Sequence, residues 1–255
     1  VAGGQRCGTT WLYHLLDAHP EIYMAKPPRP EPKFFMADPR PGRDVDWYLN
    51  TWFSDTGDAK AIGEKSTSYM ETPGTAVRIR RLFPDLRVLV ILRNPVERAI
   101  SNFAFSRRNG LEHGGLDEAL TDEERRVREI EFANISVHPF AYSWRSLYAR
   151  HLRQFFDELP REQLGVFLYD DLRENPTETC GAIYGFLGVD SGFDPGDFDR
   201  RYNESPLVDL GVKRASIEYL RDKLRRPNHE LAALLGRDLS CWDEISPAVE
   251  ALIED

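Results

Sequence analysis

Gly3 to Thr10 reads GGQRCGTT, a G-x-x-x-x-G-T-T loop that runs straight into TTWLYHLLDAHP. In that stretch Trp11, Leu12, Leu15 and Leu16 fall at helical spacing and Pro20 marks a stop. A glycine-bracketed turn that opens a helix aims backbone N–H groups and the positive end of the helix at one point, where an anion is held. The nucleotide-hydrolysing version of such a loop ends in G-K-[ST], with the lysine on the outer phosphates and the hydroxyl on magnesium. Here Thr9 takes the place of the lysine, and the nearest cation is Arg6, inside the loop.

The rest of the chain continues a strand and helix alternation. Strands are expected at residues 61–64, 86–92 (LRVLVIL) and 164–169 (LGVFLY), and helices at 75–82, 96–107, 116–130, 142–156 and 177–187. Short apolar strands separated by helices imply an α/β fold. The expected form is three layers, α/β/α, around a parallel sheet, like that of the P-loop nucleotide hydrolases, with ligands outside the carboxyl ends of the strands. The 255 residues, 41% hydrophobic, suit a single domain over 1–255. Val1 is not a start methionine and is expected inside the first strand, with residues upstream of it missing. The proline-rich KPPRPEPKFF, residues 26–35, is the main irregular loop and is expected near the ligand edge.

Charge and cysteine content narrow the function. A net charge of −9 argues against broad capture of DNA, RNA or another polyanion. The apolar run VLVIL is far too short to span a bilayer, and nothing reads as a signal peptide. Cys7, Cys180 and Cys241 are odd in number with no CxxC spacing, which argues against a disulfide framework or a zinc site and points to a reducing cytoplasm. A magnesium-dependent kinase or GTPase needs a carboxylate near a strand end, but LRVLVILRNP ends in Arg93. The site therefore reads as one for an anion without a metal. The loop from Gly4 through Gln5, Arg6, Cys7, Gly8, Thr9 and Thr10 forms the cradle, and Arg6 and Arg93 supply the positive charge.

GGQRCGTTWL, LRNPVERAISNF and FLYDDLRENP together resemble the sulfotransferases that use 3′-phosphoadenosine 5′-phosphosulfate (PAPS) and release adenosine 3′,5′-bisphosphate. The likeness runs from Gly3 to Trp242, and IGEKSTSYM, DWYLNTWF and PEPKFF are closer to the heparan-sulfate-type branch than to the aryl and steroid branch. The resemblance implies that the glycine loop grips the 5′-phosphosulfate and that Arg93, with Ser101 eight residues later, holds the 3′-phosphate. It places Arg6 where many members carry lysine. Because arginine stays charged, Arg6 is read as stabilising charge and not as a general acid.

The same resemblance makes Glu31 the base that takes the acceptor's proton, and Lys65 of GEKS the ammonium near the transferring sulfate. His138 of SVHPF is the competing base, since imidazole titrates near neutral pH. Lys33 stands where heparan-type enzymes often carry histidine, which leaves the acceptor open. Lys213 and Arg214 correspond to a basic lid over the 3′-phosphate, and Tyr169 is either near adenine or core. The expected acceptor is a hydroxyl, less readily an amine, of a small molecule, glycan or lipid. An acidic chain with Phe34, Phe35, Trp47, Tyr48 and Trp52 near the motif loops favours a neutral or partly apolar compound. Two other classes stay open: a non-catalytic module for adenosine 3′,5′-bisphosphate, and a kinase with a degenerate loop.

Overall fold

A computed structural model describes residues 1–129, 138–196, 198, 202 and 210–253. Its helices in chain order are α1 (Thr9–Asp17), α2 (Val45–Trp52), α3 (Thr75–Leu82), α4 (Pro95–Arg108), α5 (Leu116–Glu129), α6 (Tyr148–Glu158), α7 (Tyr169–Glu174), α8 (Pro176–Leu187), α9 (Arg214–Leu235) and α10 (Pro247–Glu250). The strands are β1 (Ile22–Met24), β2 (Ala61–Gly63), β3 (Val88–Leu92) and β4 (Leu164–Leu168). The chain resolves into two compact units, Val1–Leu92 with Leu152–Asn203, and Arg93–His151 with Glu204–Asp255.

The first unit is built on parallel pairing. β1 lies beside β2 with Ile22 opposite Ala61, and β3 beside β4 with Val88 opposite Leu164. The opening residues run along the other side of β3: Ala2 N–H donates to the Leu89 carbonyl at 2.8 Å, Gly4 N–H to Ile91 at 2.8 Å, and Ile91 N–H to Gly3 at 3.0 Å. Every residue of β3 is buried, as a strand covered on both faces requires. The α/β expectation is correct, and the glycine loop follows directly from a strand-like segment at the edge of β3.

The second unit packs α4, α5 and α9 around Val96, Ile100, Phe103, Leu116, Leu120, Ile217, Leu220 and Leu224. Burying each such side chain contributes about 1.5–3 kcal/mol. Asn94 starts α4 by accepting from Val96 N–H at 3.0 Å and Glu97 N–H at 3.3 Å, with Pro95 in the first turn. Helix α9 buries Leu220, Leu224 and Leu231, and Trp242 is buried beyond it. The expected helix at 116–130 is present to Glu129, and Ile130 lies outside the described residues.

The helix expected at 142–156 is corrected. Residues 144–146 form a short 3-10 turn, and α6 begins only at Tyr148. Side chains claim the backbone there: Glu123 accepts from Ser143 Oγ at 2.6 Å and Trp144 N–H at 2.8 Å, and the Tyr142 carbonyl accepts from Arg98. A second shortfall is Tyr169, which starts α7 instead of ending β4.

His151 fixes this turn through a 2.8 Å bond between Nε2 and the Trp144 carbonyl. Burial lowers its pKa from the ordinary 6.5 to about 4, against the bond to Trp144, while Arg145, Arg150 and Arg98 lower it further. Between those values the unfolded chain takes up a proton that the folded chain does not, so stability is lost as pH falls through that window. The loss amounts to about 3 kcal/mol at most. Urea unfolding at a series of pH values is expected to show a shallower acid decline for His151→Gln than for wild type. An equally steep decline would show that other groups set the acid limit.

Candidate active site

Both glycines that bracket the loop are demanded by close approach. Gly3 has φ 154°, and a Cβ there would stand 2.9 Å from Met70 Cβ and 3.2 Å from the Thr67 carbonyl. Gly8 has φ 84°, and a Cβ there would meet the Tyr169 ring at 2.7 Å. Tyr169 also meets Trp11 edge to face at 5.9 Å, so its ring packs over the loop where it becomes helix. Arg6 takes a left-handed φ of 68°, uncommon for a residue with a side chain. Cys7 is fully buried and so offers the cradle only its backbone. Gly8 caps α1 and no side chain does, which leaves the first-turn amides facing the loop.

Two residues singled out far apart in the sequence meet in the first unit. The Lys65 ammonium is ion-paired with Glu31 Oε1, and both side chains are largely buried. Thr67 holds the other carboxylate oxygen through its N–H at 3.1 Å and its hydroxyl at 3.1 Å. A cleft of about 380 Å³ opens beside this cluster, lined by Thr10, His14, Pro27, Pro28, Arg29, Lys65 and Tyr202.

Behind the pair lies a buried carboxylate that the sequence reading passed over. Glu64 accepts from Ser66 Oγ at 2.6 Å, Tyr69 hydroxyl at 2.6 Å and Tyr48 hydroxyl at 3.2 Å. Burial pushes its carboxyl above the ordinary range, and bonds from Ser66, Tyr69 and Tyr48 oppose that rise. Two of these partners reach the loop that carries Glu31: Ser66 Oγ accepts from Lys33 N–H at 2.9 Å, and Tyr69 hydroxyl accepts from Phe35 N–H at 3.1 Å. Glu64 thus ties the Glu31 loop to the segment bearing Lys65 and Thr67. Phe34, Phe35 and Tyr48 are buried around it, with Phe34 stacked on Tyr48 at 4.2 Å. The reading of these three rings as an acceptor surface is therefore corrected: they are core.

The remaining expected residues lie in the second unit. Arg93 donates through Nε to Glu97 Oε2 at 2.9 Å and through Nη2 at 2.8 Å, and the other Glu97 oxygen accepts from Ser246 Oγ at 2.7 Å. Ser101 is buried two turns along α4 from Asn94. Arg98, on the same helix, is buried and engaged with Ser146 Oγ at 2.7 Å. His138 is buried next to Pro139, whose carbonyl accepts from Asn102 at 3.0 Å and Ser106 at 2.7 Å. Lys213 and Arg214 are exposed and paired with Asp117 and Glu250.

Set against known proteins, residues 1–224 match the family model described as the sulfotransferase domain. The chain belongs to the sulfotransferase family. The crystal structure of a sulfotransferase from Alicyclobacillus acidocaldarius superposes with a TM-score of 0.81 at 30% identity, covering 96% of this chain and 97% of that one. Among curated proteins, the bifunctional heparan sulfate N-deacetylase/N-sulfotransferase of Drosophila melanogaster is 26% identical over 207 residues. Heparan sulfate glucosamine 3-O-sulfotransferase 6 of Mus musculus is 28% identical over 195 residues. Each match takes in 74% of this chain, but only 19% and 51% of those relatives' own lengths. The expectation of a sulfotransferase enzyme, with its likeness to the heparan-type branch, is correct.

In this sulfotransferase the residues missed from sequence are Thr67, Glu64, Arg29, His14 and Tyr202. For Thr67 a signal existed: it stands two residues after Lys65 in GEKST. For Tyr202, nothing in the sequence links it to His14.

Proposed function

We propose that this sulfotransferase moves a sulfuryl group from PAPS to a hydroxyl of a small molecule, glycan or lipid, with Glu31 as the base. The observation that carries the reading is the Glu31, Lys65 and Thr67 cluster beside the cleft that Thr10 and Lys65 line. The donor, when bound, supplies an SO₃ group on a phosphate leaving group. The first-turn amides of α1, the Thr10 hydroxyl and the Lys65 ammonium are all hydrogen-bond donors, as oxyanions need. Arg6 adds charge to the loop. In the second unit, Arg93 and Ser101 are the residues proposed for the 3′-phosphate, with Lys213 and Arg214 as further cations.

Glu31 accepts the proton that the acceptor oxygen sheds as it bonds to sulfur, and the electron pair of the broken sulfur–oxygen bond leaves on the phosphate. Taking that proton neutralises the anion that Lys65 faces. The ammonium is then uncompensated when negative charge grows on the departing group, so base and cation act in sequence. A binding module without chemistry has no use for this buried pair, and a kinase lacks its carboxylate where Arg93 stands. The relatives named for heparan sulfate bring glycan hydroxyls and amines into the acceptor range.

Incubation with sulfur-labelled PAPS or γ-labelled ATP, each beside a panel of alcohols, tests this directly. Transfer of the sulfur label alone is expected. Transfer of phosphorus, or nucleotide binding without any transfer, would overturn the proposal.

A further inference from the structure

One part of the cleft serves neither the glycine loop nor the Glu31 and Lys65 pair. His14 lies four residues beyond Thr10 on the same face of α1, about 6 Å further along the helix. Its ring stacks on Tyr202 with centroids 4.1 Å apart and planes 18° from parallel, and Tyr13 meets its edge at 5.3 Å. Stacked face to face, the pair keeps only its outer faces and edges as a platform for a further ring. Pro27 and Pro28 line the same cleft with apolar rings, and Arg29 follows them, two residues before Glu31. Lys26 beside it is paired with Asp17 at 3.1 Å, whereas Arg29 is exposed and has no ion pair or hydrogen bond among the described residues. The described residues that line the cleft include no carboxylate, in a chain of net charge −9.

We infer that His14, Tyr202 and Arg29 form an acceptor subsite for a small hydroxyl compound with a flat ring and one anionic substituent, the ring on the platform and the anion on Arg29. This rests on the sulfotransferase reading above and deepens it. A cleft of about 380 Å³ is at the lower end of small-molecule sites, enough for a compact acceptor. His14 and Tyr202 line the same cleft as Lys65, whose ammonium is paired with Glu31. The inference also replaces the neutral acceptor favoured by composition: the bulk charge is negative, but the local lining is positive.

The test compares kcat/KM for three acceptors: para-hydroxyphenylacetate, its neutral methyl ester, and hydroxyhexanoate, which has the charge without the ring. Wild type is expected to prefer the first over each of the others about tenfold, the worth of one charge-assisted contact or one stacked ring. Arg29→Ala should erase the preference over the ester, and Tyr202→Ala the preference over hydroxyhexanoate, while Tyr202→Phe retains it. Neither Arg29→Ala nor Tyr202→Phe should change the dissociation constant of adenosine 3′,5′-bisphosphate. Weakened nucleotide binding in Arg29→Ala would assign the arginine to the donor and overturn the inference. So would a wild type that binds nucleotide but shows no ring or charge preference, or sulfates none of the three. A wild type that binds no nucleotide overturns instead the reading beneath it.

Discussion

Glu31→Gln is expected to slow the chemical step roughly 10²–10⁴-fold, the usual contribution of a positioned base, while adenosine 3′,5′-bisphosphate binds nearly as before. The substitution keeps the size of the side chain and gives up one of the hydrogen bonds it accepts. An amide oxygen can still accept from the Lys65 ammonium and the Thr67 hydroxyl can turn to accept from the new NH₂ group, but the Thr67 N–H loses its acceptor. What is lost is the capacity to take a proton, together with the charge that Lys65 faces. Single-turnover rates and nucleotide dissociation constants measured together separate the two effects, with His138→Ala as the control. Should Glu31→Gln keep wild-type turnover while His138→Ala loses it, the histidine is the base and the comparison with heparan-type enzymes fails at Glu31.

What could be read ahead of the structure followed from local rules. The glycine loop and α1, the apolar β3 and the Asn94 and Pro95 start of α4 each announce themselves within a few residues. Glu31 and Lys65 were named only through family likeness, since nothing in a span of 34 residues says that the two side chains touch. Glu64 was missed for the same reason: its partners Tyr48 and Tyr69 come from other segments, and only their convergence makes a buried carboxylate tolerable. The delayed start of α6 has the same origin, because Glu123 binds Ser143 and Trp144 from 20 and 21 residues away. Helix α2 was different. Asp44 caps it by accepting from Trp47 N–H at 2.9 Å, and that signal was present in DVDWYLNTW but hidden among aromatics read as ligand surface.

The Arg93 and Glu97 pair was also legible, as an i,i+4 spacing, and it changes what Arg93→Ala should do. Glu97 is largely buried, with one oxygen held by Ser246 and the other by Arg93. It therefore sets the guanidinium's orientation and offsets its charge in the free protein. Removing the arginine takes a cation away from the proposed 3′-phosphate site and leaves a carboxylate facing it. The expected loss in adenosine 3′,5′-bisphosphate affinity is about 2–5 kcal/mol, roughly 30- to 4,000-fold, and far less for AMP, which has no 3′-phosphate. Because part of that loss is repulsion, Arg93→Ala combined with Glu97→Gln should bind adenosine 3′,5′-bisphosphate more tightly than Arg93→Ala alone. Calorimetry on the two variants with both nucleotides decides the matter. Equal losses for the two ligands would remove Arg93 from the 3′-phosphate site, and a double variant no better than the single would leave Glu97 with a purely structural part in α4.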